Sequence, residues 1–215
     1  MGIVEYLSEN SGAVAFATWQ HFYLFLISMI ISTIIGVALS ILITSEGREK
    51  LGYFLLTVTG AAQAVPSVAV VALVFIFVGI GAKPAIISLV IYSLVPIVFN
   101  ATSGILNVPP GTIEAAKGMG MTNTQILWKV KVPLAMTIIM SGIRSAATIN
   151  IGTATVAAII GGGGLGDIIF TGLKLNKPAL IIVGAGLSAL LAIVMDNVFL
   201  LVEKAVTPKG LEAQR

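Results

Sequence analysis

Few side chains in this 215-residue sequence combine the type and spacing that chemistry needs. Cysteine is absent and His21 is the single histidine, so the residues assemble no thiol centre, disulfide framework, histidine metal site or triad. Gly161, Gly163 and Gly166 have the spacing of a dinucleotide fingerprint within Gly161-Gly162-Gly163-Gly164-Leu165-Gly166-Asp167. That fingerprint reads a pyrophosphate only between a strand and a helix, with an acidic residue placed for the ribose. Here it follows a long apolar segment, and no G-x-x-x-x-G-K-[ST] occurs anywhere, so the chain holds no P-loop. Two ionisable residues, Arg144 and Asp196, stand inside apolar segments, where a charge is costly and marks a functional candidate by default. Arg144 is eleven residues past Pro133, about 16 Å along a helix and near mid-membrane. Paired, Arg144 and Asp196 form a structural clasp. Unpaired, the guanidinium meets a carboxylate in a path or lies at a subunit interface. Phe75, Phe77, Tyr92 and Phe99 could cage a quaternary ammonium through their ring faces, although packing on lipid or neighbouring helices is the plainer reading.

The segments that must position these residues are apolar on every face. The chain is 57% hydrophobic and 10% charged, against about a quarter charged in a soluble domain. Barrel strands alternate in polarity, and these runs do not. The sequence therefore predicts an all-α polytopic membrane protein, with one transmembrane domain over residues 1–215 and none left for a soluble domain. About 20 apolar residues cross the hydrocarbon core. Five segments qualify: Phe22–Ile43, Leu51–Phe77, Ala85–Leu106, Pro133–Ile160 and Ala179–Val202, with room for a sixth short one. Pro66 and Pro96 should kink the spans that contain them, while Pro84, Pro133 and Pro178 sit where helices begin. His21, with Trp19, Phe22 and Tyr23, reads as an interfacial aromatic belt. Residues 1–9 lack the basic region of a signal peptide.

Charge sets the orientation. With the N-terminus outside, Arg48, Lys50, Lys117, Lys129, Lys131, Lys204, Lys209 and Arg215 fall inside, and Lys83, Lys174 and Lys177 outside. This follows the positive-inside rule and places the C-terminus and loop 107–132 in the cytoplasm. The loop reads as two short helices joined by a glycine turn. Pro109, Pro110 and Gly111 stop the preceding span, Glu114 falls in a first helical turn, and Gly118 and Gly120 permit the turn. Thr122 and Gln125 have the spacing of a capping box, and Ile126, Leu127 and Val130 form an apolar stripe.

Within this loop Glu114-Ala115-Ala116, then Gly120, and then Val130, Val132 and Pro133 resemble the EAA loop of bacterial ABC-importer permeases, with valines in place of isoleucine and leucine. Val65-Pro66-Ser67, Gly79-Ile80-Gly81, the run from Glu114 to Met121, and Ile149 to Thr155 are similar to permeases for the osmoprotectants glycine betaine, carnitine and choline. The likeness covers about Trp19 to Pro208. It implies the type I importer (MetI-like) permease fold, in a multi-pass subunit of the bacterial cytoplasmic membrane. It also implies that Glu114, Ala115, Ala116, Gly120, Val130 and Pro133 dock a separate cytoplasmic ATPase, which uses ATP and Mg. Further partners implied are a second permease subunit, identical or homologous, an extracytoplasmic binding protein and the bilayer, with no nucleic acid. No catalytic residue, metal or cofactor is expected in this chain. Gly161, Gly163, Gly164, Gly166 and Asp167 resemble an element of osmoprotectant and methionine permeases that could gate the outer mouth. Small residues Gly142, Ser145, Ala146 and Gly152 read as a helix interface. Two alternatives remain at this point: a permease for D-methionine or another small solute, and an ion-coupled carrier or channel, which usually needs intramembrane ion ligands or inverted repeats.

Overall fold

The computed structural model describes residues 2–45 and 47–207. Lys209 and Arg215, placed among the inner cations by the charge pattern, lie outside them. The regular elements of the described residues are all helices, joined by short turns: α1 (Ile3–Glu9), α2 (Ser11–Ile43), α3 (Glu49–Ala62), α4 (Ser67–Val78), α5 (Ala82–Leu106), α6 (Pro110–Gly118), α7 (Asn123–Ile126), α8 (Val132–Ala157), α9 (Leu165–Lys174) and α10 (Pro178–Val206). Among the described residues four helical runs are long and apolar enough to cross a membrane, with a fifth if the broken pair α3–α4 is counted as one span.

Three boundaries differ from expectation. The first long helix begins at Ser11 and not near Phe22: Val14 and Ala17 pack on Leu165, Ile168, Leu180 and Val183, while most of the other residues of its first turns are exposed. His21 is wholly buried and is no part of an interfacial belt. Trp19 and Tyr23 do stay exposed. Pro66 breaks its span and does not merely kink it: extended backbone at Pro66 (ψ 135°) caps α4 after an interruption at 63–66. Pro133 is the second residue of α8, but that helix continues a run unbroken from Asn123, and a π-turn at Leu127–Lys131 ends two residues before the proline. Widening the helix there gives room where the ring would otherwise crowd a carbonyl one turn back. Pro178, in contrast, is the first residue of α10, as expected.

The chain divides into two compact units, one comprising residues up to Ser32, Val65–Ser93 and Ala147–Asn197, the other Thr33–Ala64, Leu94–Ala146 and the chain from Val198. The first has a core of Leu24, Val71, Leu89 and Ile160 closed by alanines at 85, 154 and 157. A second patch there packs Val14 and Ala17 on Leu165, Ile168, Leu180 and Val183. In the other unit small residues bring helices together. A Cβ on Gly142 would lie 2.6 Å from that of Asn100, and one on Gly36 would lie 2.7 Å from Ile97.

Candidate functional site

The elbow between α5 and α7 is built by local chemistry. Extended Pro109 caps α6 and Pro110 occupies its first turn, where a missing N–H costs nothing. The helix ends in a Schellman motif. Met121 N–H donates to the Ala116 carbonyl at 3.1 Å and Gly120 N–H to Lys117 at 2.9 Å, with Gly120 at φ +77°. Thr122 and Gln125 then cap α7 reciprocally, Thr122 N–H donating to Gln125 Oε1 (2.9 Å) and Gln125 N–H to Thr122 Oγ1 (3.4 Å). Two expectations change. Glu114 is the fifth residue of α6, one turn past the helix start, and Gly118 is ordinary helix, so Gly120 alone makes the turn. Glu114, Ala115 and Gly120 are exposed, whereas Ala116 is buried against its own chain and Val130 and Pro133 are half-buried. The second short helix of the loop is in fact the first turn of the long run that contains α8.

The intramembrane cation has a partner that the sequence does not single out. Arg144 Nη1 donates to Glu203 Oε2 at 3.1 Å, and the carboxylate is almost fully buried. Asp196, half-buried, lies two turns earlier on α10. The separation of Asp196 and Glu203 by seven residues, which puts both on one helix face, is the signal that points to it.

In the first unit the glycine element is a tightly held turn. Gly81 N–H donates to the Ile160 carbonyl (2.8 Å) and Gly164 N–H to Gln20 Oε1 (3.0 Å). Gly163 (φ +77°) and Gly164 (φ +80°) adopt left-handed backbone, and a Cβ on Gly164 would lie 3.1 Å from His21. His21 Nε2 is 3.1 Å from the Ile151 carbonyl. A Cβ on Gly166 would strike the Thr155 carbonyl oxygen. Asp167 is exposed in the first turn of α9. Beneath this layer, buried Asn150 donates to Ser28 Oγ (2.9 Å) and Ser93 Oγ (2.7 Å), which satisfies three helices' polar groups away from water.

Phe75 and Phe77, two residues apart, point to different sides of α4, and the Tyr92 hydroxyl donates to the Val65 carbonyl at 3.3 Å. In the second unit Phe99 lies beside Gly60. Of the small residues on α8, Gly142 and Ala146 pack within the chain, while Ser145 and Gly152 are exposed. Among the described residues no group of histidine or carboxylate side chains could hold a metal ion.

Residues 33–208 match the family described as the inner membrane component of binding-protein-dependent transport systems. The chain belongs to that family. It is therefore a transport permease subunit of the ABC type, with the expected all-α fold. The carnitine transport permease protein OpuCB of Listeria monocytogenes is 40% identical over 99% of this chain and 97% of its own length. The glycine betaine/carnitine/choline permease OpuCB of Bacillus subtilis (strain 168) is 40% identical, with coverage of 99% and 97%. The choline permease OpuBB of the same strain is 39% identical, with coverage of 98% and 96%. Among solved structures, an inward-facing MetNI methionine ABC transporter aligns with a TM-score of 0.78 at 22% identity, covering 91% of this chain and 96% of its own; that likeness concerns fold alone.

For this permease the glycine turn makes a direct prediction. Gly163→Ala should lower thermal stability, because left-handed backbone costs a side chain about 1–2 kcal/mol and the new methyl collides with Gln20. Adding Gln20→Ala should relieve the collision but also remove the acceptor of the Gly164 N–H, so stability should recover only in part. Melting curves of the purified single and double variants check this; full recovery would contradict the backbone term.

Proposed function

We propose that this chain is the membrane-spanning permease subunit of an ATP-driven importer of quaternary-amine osmoprotectants: glycine betaine, carnitine or choline. The observation that carries the reading is 40% identity, over nearly its whole length, to permeases named for those solutes. Two permease subunits, identical or homologous, line one path. An extracytoplasmic binding protein delivers the solute, and cytoplasmic ATPases supply the work and hold the ATP and Mg. The N-terminus lies outside and the C-terminus inside, in line with the distribution of Lys and Arg. The exposed face of α8 that carries Ser141, Ser145, Thr148 and Gly152 is small and polar and poorly suited to lipid, so it faces the path or the second subunit.

The elbow of Glu114, Ala115 and Gly120 seats on the ATPase, with Val130 and Pro133 carrying its movement into the long run that ends at Ile160. Closure of the ATPases draws the two elbows together and turns the path outward; hydrolysis returns it inward. The contact must differ in free energy between the two states, or no shift follows. The turn at Gly161, Gly163, Gly164 and Gly166, with Asp167, gates the outer mouth by moving as one body with Gln20 and His21, since its glycines serve close packing and leave no slack.

Uptake into proteoliposomes of the complete assembly tests the reading. Internal ATP should drive accumulation of at least one labelled amine, with excess D-methionine leaving uptake unchanged. Accumulation driven by an ion gradient without ATP would refute it, and inhibition by D-methionine would move the substrate class.

A further inference from the structure

A cleft of about 560 Å³ opens beside the elbow, within the second unit. One wall is α6 and the start of the next helix, carrying Glu114, Lys117 and Lys131; the facing wall is the corner from the end of α2 to the start of α3, carrying Ser45, Glu49 and Tyr53. The charges of α6 decide its meaning. Glu114 and Lys117 are the only charged residues in Pro110–Gly118, and both line this cleft. Exposed Ala115, Gly118 and Met119 offer a partner shape but no charge. A protein that reads the elbow electrostatically must therefore reach into the cleft, and on doing so it meets the other wall.

That wall is suited to an arginine. Tyr53 is 57% exposed, with the carboxylates of Glu49 and Glu114 lining the same space. A guanidinium stacks on an aromatic face while its fork bonds a carboxylate. Lys117 and Lys131 balance the two glutamates, so the cleft as a whole favours a segment bearing both signs over an anionic lipid headgroup, which selects clustered cations.

We infer that the ATPase docking surface extends from the elbow across this cleft onto the α2–α3 corner, where Glu49 and Tyr53 receive an arginine-bearing, mixed-charge segment of the ATPase. This rests on the elbow being the ATPase contact. Each probe position is exposed, so a photo-reactive benzoylphenylalanine can be placed singly at Tyr53, Phe54 or Ala115 in the complete reconstituted transporter. Phe54 neighbours Tyr53 but lies outside the cleft lining. Tyr53 and Ala115 should cross-link to the ATPase, and Phe54 to lipid. Cross-linking from Ala115 but not Tyr53, or equally from Tyr53 and Phe54, overturns the cleft and leaves the elbow reading intact. Cross-linking from neither Ala115 nor Tyr53 overturns both. Binding without the probe supplies a second test: Glu49→Lys should cut the ATPase retained on affinity-purified permease by about tenfold, equivalent to about 1.4 kcal/mol. Undiminished retention overturns the inference.

Discussion

With Glu114→Lys, ATP-driven uptake is expected to fall by more than about tenfold while the amount of permease in the membrane stays within about twofold. The two halves of that result have separate causes. Glu114 is exposed on α6, and its helix is fixed by Pro110 at one end and the Schellman turn at the other, so the fold does not depend on its carboxylate. Reversal of a surface charge normally moves stability by less than about 0.5 kcal/mol. At an interface the same change leaves a desolvated partner charge facing its like, and losing a hydrogen-bonded charge pair there costs about 2–5 kcal/mol. Because the coupling energy must differ between the two states of the cycle, that loss strikes coupling in particular. Gly120→Val should act similarly by straining the left-handed turn that sets the elbow's angle, at about 1–2 kcal/mol, with Gly120→Asp the milder change because aspartate tolerates that backbone better. Uptake by proteoliposomes, set beside immunoblots of the membrane fraction, separates the two effects. Normal uptake by both Glu114→Lys and Gly120→Val would remove the elbow from the mechanism.

Much of this arrangement is legible in the sequence because it is local. The capping pair Thr122–Gln125 and the turn at Gly120 depend on residues a few positions apart, and both form as their spacing predicts. The apolar runs likewise give the long helices, since a helix in lipid must satisfy its own backbone. What the sequence hides is long-range. His21 resembles a membrane-surface anchor because its neighbours are aromatic, yet it is buried against the Ile151 carbonyl, 130 residues away. Gln20 gives no signal of its bond to Gly164. Asn150 is visible only as one letter in a family-like run, and its bonds to Ser28 and Ser93 need three helices to meet. Glu203 stands just past the apolar run, one residue before Lys204, where a carboxylate looks like an ordinary membrane-edge charge.

Glu203 is nevertheless the residue whose loss should damage the fold most. Glu203→Leu is expected to be worse than Arg144→Leu, although both break the same 3.1 Å pair. Removing Glu203 takes this partner from a guanidinium that cannot shed its proton in any accessible pH range. Removing Arg144 takes it from a carboxylate, which can take up a proton and become a tolerable neutral group. Breaking a fully buried pair from one side typically costs about 3–5 kcal/mol. Because the Arg144 side chain keeps 27% exposure, both variants should fall below that range, with the Glu203 variant costing more than the Arg144 variant. The double variant Arg144→Leu/Glu203→Leu should then be more stable than Glu203→Leu alone, because an apolar pair leaves no charge to solvate. Melting temperatures and membrane yields of the three variants make a double-mutant cycle. Equal damage from both single changes, with no recovery in the double, would mean that the two side chains act independently. If the recovered double variant also transports, the pair serves to hold α10 to α8 within its unit; if it is stable but inactive, Arg144 has a second task in the path, such as meeting a zwitterion's carboxylate.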